Sequence, residues 1–398
     1  MSPLVLERDY SIKLSSNIID YIYPEYVFIP MYEGYKLKVR NNEIVKKEQV
    51  ILSNADNLVL VSSVSGKIVG AKECIVNGKL QKCVVIENDF KEKIFSKSSM
   101  RKNIKQISKE MFLDILNTKC IVDQNDTSKL LSDLFMKHDF SNIVIKAFED
   151  EIYMGNKIFL LQKHASEILE IISYLGKIFK TKNNVIMFKN NDRDNVELYT
   201  NMLGTYPEIT LNLIPDVYPV TNELILDKYL YFKDDVLFIT PENLLSIYYA
   251  LKKDKIMLEK YITISGDAIV NPVVINTKIG ASIKKIIDDN IKFLNNEEVV
   301  YIVNGLMTGY ECNIDDLIVT EELDGIIINY PKKCKTSECI NCGKCYEVCP
   351  ANIDPKKIFL DNKNSDDINK CNDCGLCTYI CPSYINFKNK IKELKDEK

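Results

Sequence analysis

The sequence predicts a multidomain α+β protein, and three observations carry that reading. At 398 residues the chain is too long for one hydrophobic core, which stops growing below that size. Its apolar pattern changes three times, from short β-branched runs to alternating strands and helices, to short strands again, and then to a cysteine-dense tail. Hydrophobic residues make up 46% of the chain and charged ones 27%, which gives each segment enough apolar material to fold and excludes a disordered protein.

Residues 1–100 read as a small all-β domain. VFIP (27–30), LVLVSS (58–63) and CVVIEN (83–88) are short and β-branched, separated by Gly, Asn and Lys clusters that suit turns. Residues 101–256 read as an α/β layer, beginning at the end of a lysine-rich stretch, KEKIFSKSSMRKNIK. Strands are expected at NIVIKAF (142–148), NVIMF (184–188), ITLNLI (209–214) and VLFIT (236–240). Ile168, Leu169, Ile171, Ile172 and Leu175 recur at helical spacing between the first two. That alternation implies a mainly parallel sheet. Residues 257–330 read as a compact, roll-like α+β unit. YITISGDAIVNPVVINTKIG supplies two strands joined through Gly266, Asp267 and the Asn271-Pro272 turn, ASIKKIIDD an amphipathic helix, and VVYIVNG and GIIIN two more strands. Residues 331–398 form the cysteine module, closed by a lysine- and glutamate-rich helix, NFKNKIKELKDEK, which shows no broad apolar face.

Charge excludes some functions. Lys+Arg 52 against Asp+Glu 56 gives a net charge of -4, and arginine occurs only at Arg8, Arg40, Arg101 and Arg193. Bidentate contacts to phosphates or guanines are poorly supplied, so no nucleic-acid partner is expected. No apolar run approaches the roughly 18 residues of a spanning helix; the stretch 299–307 is broken by Asn304 and Gly305. The start, MSPLVLERDY, lacks the apolar core of a secretory signal. A cytoplasmic protein is expected, soluble or peripheral on the cytoplasmic face of a membrane, with no integral membrane segment. Neither GxGxxG nor GxxxxGK[ST] occurs, so no phosphate loop is legible.

Of thirteen cysteines, Cys74, Cys83, Cys120, Cys312 and Cys334 stand singly, and eight lie between Cys339 and Cys381. A reducing compartment keeps thiols free, so this density reads as metal ligation. The eight form an internal repeat. Cys339-x2-Cys342-x2-Cys345-x3-Cys349-Pro350 is followed by Cys371-x2-Cys374-x2-Cys377-x3-Cys381-Pro382. Three thiolates at that spacing wrap one corner of a 4Fe-4S cubane, and the fourth cysteine of each run reaches the other cluster, as in two-cluster ferredoxins. The expected sets are therefore Cys339, Cys342, Cys345 and Cys381, and Cys371, Cys374, Cys377 and Cys349. Gly343 and Gly375 lie inside the loops, where a missing side chain lets backbone N–H groups approach the sulfides. A pair of zinc sites is the alternative, but zinc has no use for a third cysteine at this spacing followed by Cys-Pro, twice.

Other residues carry less. His164 falls in an expected helix and reads, like His138, as a solvated histidine. The scattered cysteines read as small core residues. Cys334 is the exception, standing among Lys332, Lys333 and Lys335, where cations favour a reactive or partner thiolate.

In this order the segments resemble the RnfC family, the peripheral RnfC component of ion-translocating ferredoxin:NAD oxidoreductase complexes, itself related to proline reductase-associated electron-transfer proteins. VFIP, SSVSGKIV and VVIENDF resemble its barrel-sandwich domain. SGDAIVNPVVINTKIGASIKKII and VYIVNGLMTGY resemble its SLBB-like β-grasp domain, and ECINCGKCYEVCPANIDP with KCNDCGLCTYICPSYI its two-cluster ferredoxin-like tail. The resemblance implies that the middle segment is an α/β domain of the complex I flavin-subunit type. Barrel-sandwich folds also carry lipoyl and biotinyl groups, but Lys67 lacks a modification motif and reads as a solvated turn residue.

The family holds FMN with a Gly-Gly-Ala-Gly-Phe-Pro-Thr loop. Here the matching stretch, CIVDQNDTSKLLSDLFMKHDFSNIVIKAF, has no glycine. Side chains at Asp123, Gln124, Asn125 and Asp126 would occupy the flavin's space, and the acids would repel its phosphate. Glu149 and Glu151, with Tyr153, align with an acidic motif that is partly kept. The Tyr-Pro-x-Gly-Gly-Glu motif has become Tyr218, Pro219, Val220, Thr221, Asn222 and Glu223, and the Asn-Asn-x-x-Thr segment is lost at Ile239, Thr240, Pro241, Glu242 and Asn243. Glu149, Glu151 and Glu223 remain as vestigial flavin-site residues, and FMN is not expected. The leading expectation is an iron-sulfur electron-transfer protein that relays single electrons to or from a redox partner, whether ferredoxin, a reductase or Rnf-like membrane subunits. The alternatives are an FMN-dependent NADH dehydrogenase subunit and a docking scaffold with structural clusters.

Overall fold

A computed structural model of the chain describes residues 18–396 apart from 57, 97–102, 125, 137–139, 221–225, 233–234, 333 and 362–366. It is a mixed α+β structure with several sheets. Short β-branched runs at the front build two sheets, one ordered Tyr26–Pro30, Lys79–Asn88, Gly66–Val76, Ile44–Val45, the other Lys36–Leu37, Val50–Ser53, Val59–Val61. Alternation places Val27, Ile29, Ile68, Val84 and Ile86 inward, where they meet Ile51 and Leu52 in one core. Lys67 is exposed, but it lies on the strand Gly66–Val76 and not in a turn.

The middle holds four parallel strands in the order Ile209–Ile214, Asn183–Lys189, Asn142–Lys146, Val236–Ile239. Its central strands are nearly continuous apolar runs because both faces are covered. Ile143, Ile145, Ile186 and Phe188 meet the helices on one side, while Val144, Val185 and Met187 meet Val220, Leu226 and Leu230 on the other. In the helix Ala165–Phe179, the five residues of the apolar stripe are completely buried.

The third unit is a six-stranded mixed sheet in the order Ile19–Tyr21, Val273–Lys278, Glu259–Ser265, Gly325–Asn329, Val300–Val303, Tyr310–Glu311. Its first strand comes from the front of the chain and pairs parallel to Val273–Lys278. Helix Ile283–Asn290, capped by the Ser282 hydroxyl, packs Ile283, Ile286 and Ile287 onto it. Two joints fix this unit to its neighbours. Thr263 Oγ1 accepts the Gly155 and Asn156 N–H groups of the α/β layer at 3.0 and 2.9 Å. On the other side the Phe28 N–H donates to Gly280 O at 2.9 Å and the Ile75 N–H to Asp316 O at 2.8 Å. Among the described residues the tail has five short helices, the last being Phe387–Asp396. That last helix is not merely a solvated lysine helix: Phe387, Ile391 and Leu394 are buried in the core of the cysteine module.

Candidate metal centre

The two cysteine runs fold as near copies. Gly343 (φ 74°) and Gly375 (φ 76°) adopt the left-handed backbone and start the short helices Lys344–Glu347 and Leu376–Tyr379. Asn341 and Asp373, at matching positions, are also left-handed. A positive φ is what glycine supplies cheaply, and it turns the chain so that successive cysteines face one side.

One cavity, with about 360 Å³ of empty space including its open mouth, is lined by Cys371, Cys374 and Cys377 of the second run together with Cys349 of the first. Backbone N–H groups of Asp373, Leu376 and Thr378 hydrogen-bond to the sulfurs of Cys371, Cys374 and Cys377 respectively. Burial, and then mutual repulsion among the sulfurs, pushes the Cys374 thiol up to about 11 and Cys377 up to about 12. Bare thiolates are unstable together here, and a cationic iron core would offset that repulsion, so this all-sulfur set fits a 4Fe-4S cluster. Among the described residues no group of three or more His, Cys, Asp or Glu side chains is gathered as for a single metal ion.

The other four differ in setting. Cys342 is exposed, Cys345 is buried and Cys339 and Cys381 are half-buried. The Ser383 hydroxyl donates to Glu338 O at 2.9 Å and the Ser337 N–H to Ser383 O at 3.0 Å, which brings the chain beside Cys381 to the chain beside Cys339. Burial raises the Cys345 thiol, helped by nearby Asp354 and opposed by the Lys356 N–H.

The second run is clamped to the body of the protein, and sequence reasoning missed the clamp. The Tyr218 hydroxyl donates to Cys374 O at 2.7 Å, and Leu376 packs with Tyr218 and Met307. A Cβ on Gly375 would stand 2.3 Å from Met307 O, so this glycine serves a close approach as well as a turn. Lys388 Nζ donates to the carbonyls of Met307 and Gly309, each at 3.2 Å. Gly343 has open space where its Cβ would be.

The residues aligned with the flavin site have other engagements. Glu149 Oε1 accepts the Lys157 and Ile158 N–H groups at 2.7 and 3.1 Å, at the start of helix Asn156–Lys163. Burial pushes its carboxyl up to about 8, against the pull of Lys157. Glu151 accepts the N–H groups of Met307 (3.0 Å) and Thr308 (2.9 Å) and the Thr308 hydroxyl, so it holds the segment that clamps the second run. Asp123 and Gln124 enter a small hairpin, Val122–Asp123 with Asp126–Leu130. Asn243 binds both, donating to Asp123 Oδ1 and accepting the Gln124 N–H at 2.9 Å each. Glu322 accepts the Thr127 hydroxyl at 2.6 Å on the far side. Asn125, Thr221, Asn222 and Glu223 lie outside the described residues, as does His138.

His164 corrects an expectation. It is not solvated: it sits between two helices, its side chain 12% exposed, with Nε2 3.0 Å from the Tyr261 hydroxyl, and burial lowers its pKa. Cys74 and Cys83 are buried, Cys120 and Cys312 half-buried, and Cys334 exposed. No helix among the described residues is long and apolar enough to cross a membrane.

Comparison with known proteins agrees with this site. Residues 332–382 match a family described as 4Fe-4S dicluster domain. The chain is similar to the RnfC component of the ion-translocating oxidoreductase complex of Buchnera aphidicola, with 24% identity over 84% of this chain and 74% of that protein. It is similar to the corresponding component of the proton-translocating ferredoxin:NAD(+) oxidoreductase complex of Clostridium ljungdahlii, with 25% identity over 85% of this chain and 78% of the relative. The counterpart from Erwinia tasmaniensis is 23% identical over 58% of this chain, which spans only 30% of that longer protein. The resemblance to the RnfC family therefore extends well beyond the cysteine module.

Proposed function

We propose that this chain is an iron-sulfur electron relay of the RnfC type, carrying two 4Fe-4S clusters and no flavin. Its ligand sets are crossed: Cys339, Cys342, Cys345 and Cys381 hold one cluster, and Cys371, Cys374, Cys377 and Cys349 the other. The observation that carries this reading is the cavity in which Cys349 joins the three cysteines of the opposite run. Such clusters supply one-electron storage at a potential tuned by charge, hydrogen bonds and exposure.

The rest of the chain serves as a frame for that exchange. Residues 1–100 act as the barrel-sandwich domain, 101–256 as the α/β domain of flavin-subunit type, 257–330 as the SLBB-like β-grasp domain and 331–398 as the two-cluster module, with Ile19–Tyr21 lent to the third. On this reading the hairpin at Asp123–Gln124 corresponds to the family's flavin loop, and the engagement of both residues by Asn243 supports a loop without flavin, which would require glycine there. Without a two-electron acceptor the chain has no means of accepting hydride, so electrons pass singly. Its partners are ferredoxin or a reductase on one side and Rnf-like membrane subunits on the other, met from the cytoplasm.

Anaerobic purification tests this. About eight irons per chain are expected, with reduction by dithionite or ferredoxin, no extractable flavin and no NADH oxidation with artificial acceptors. Stoichiometric FMN released on denaturation would replace this reading with an NADH dehydrogenase, and clusters that resist reduction would replace it with a scaffold.

A further inference from the structure

We infer that Lys388 sets the reduction potential of the cluster held by Cys349, Cys371, Cys374 and Cys377, raising it by placing a fixed positive charge in the wall of that site. The inference rests on the two-cluster reading above. Among the described residues lining the cavity Lys388 is the single cation, and Asp373 the single acid. The ammonium is pinned by the Met307 and Gly309 carbonyls at 3.2 Å each, so its charge cannot swing into solvent. The carbonyls orient it, and of the acids that act on it Glu151 lies outside the cavity lining while Asp373 lies within it. A second cation, Lys395, stands outside the lining, where it donates to Cys371 O at 2.6 Å and is compensated by its ion pair with Asp373, also at 2.6 Å. One-electron reduction adds a negative charge to a cluster already bound by four thiolates, and a nearby cation in a partly buried site favours that charge.

The internal repeat supplies a control. Lys388 follows Cys381 by the same interval as Lys356 follows Cys349. Lys356 stands in helix Pro355–Asp361 of the first run, outside the cavity lining.

The test is a redox titration of the full chain, purified anaerobically and followed by paramagnetic resonance. The inner signal is identified as the one altered by Cys374→Ser. In Lys388→Gln that signal should shift to lower potential, so that its reduced fraction at the wild-type midpoint falls several-fold. A tenfold change in the reduced-to-oxidised ratio equals 59 mV for one electron. Lys388→Arg should restore it, Asp373→Asn should move it upward, and Lys356→Gln should leave it in place. A structural effect of loosening the clamp would not reverse sign between Lys388→Gln and Asp373→Asn. Retained iron with an unmoved inner signal in Lys388→Gln, an equal shift of both signals, or a downward shift in Asp373→Asn would overturn the inference while leaving the two-cluster reading intact. Wild-type protein without two reducible clusters would overturn both.

Discussion

The loops Cys339–Cys345 and Cys371–Cys377 carry the same spacing, the same left-handed glycine and the same short helix, but one lies toward solvent and the other is clamped. Around the first, Ile340 is 66% and Tyr346 47% exposed, and Cys342 is open to solvent. Around the second, Tyr218, Met307 and Lys388 close over the chain. A ligand motif fixes what a loop can bind, while contacts from distant segments decide how deeply the bound group sits. Two loops of equal cysteine spacing then sit in different surroundings. The first loop is open to solvent at Cys342, and the second faces the body of the protein.

The largest effect is expected from adding a methyl group at each of the two glycines. Gly375→Ala forces a contact with Met307 O in addition to the left-handed backbone cost, and should destabilise the protein by about 3 kcal/mol. Gly343→Ala meets only the backbone cost, about 1 kcal/mol. Thermal denaturation under anaerobic conditions reads both, and equal losses would remove the distinction. Next in size is iron removal. A chelator should strip the iron in two phases, the faster from the site containing Cys342; a single phase would mean that exposure does not govern access. Tyr218→Phe deletes one hydrogen bond to the second loop and should cost about 1 kcal/mol, with faster loss of the slow phase only. The smallest effect belongs to Cys334→Ser, which should leave the iron content unchanged, since the proposed ligand sets do not include it.

How much of this was open to a reader of the sequence depends on the range of the interaction. The cysteine repeat, the apolar stripe at Ile168–Leu175 and the parallel strands are written in local spacing, and the structure has them where the spacing puts them. The strand Ile19–Tyr21 is three residues long and finds its partner more than 250 positions away, so no local pattern announces it. Gly343 and Gly375 are indistinguishable in sequence, because what separates them is the carbonyl of Met307. Glu149 and Glu151 invite a ligand-binding role by their place after a strand. Their carboxylates instead cap a helix and hold residues 307–308, which only the fold reveals. His164 reads as solvated from its place in an expected helix, yet Tyr261 from the third unit contacts it.

The crossed ligation is tested most directly by the paramagnetic resonance spectrum of reduced Cys349→Ser. The signal altered should be the one also altered by Cys374→Ser, with the signal sensitive to Cys342→Ser retained. If Cys349→Ser instead removes the Cys342-dependent signal and spares the other, each run binds its own cluster and the crossed assignment is wrong.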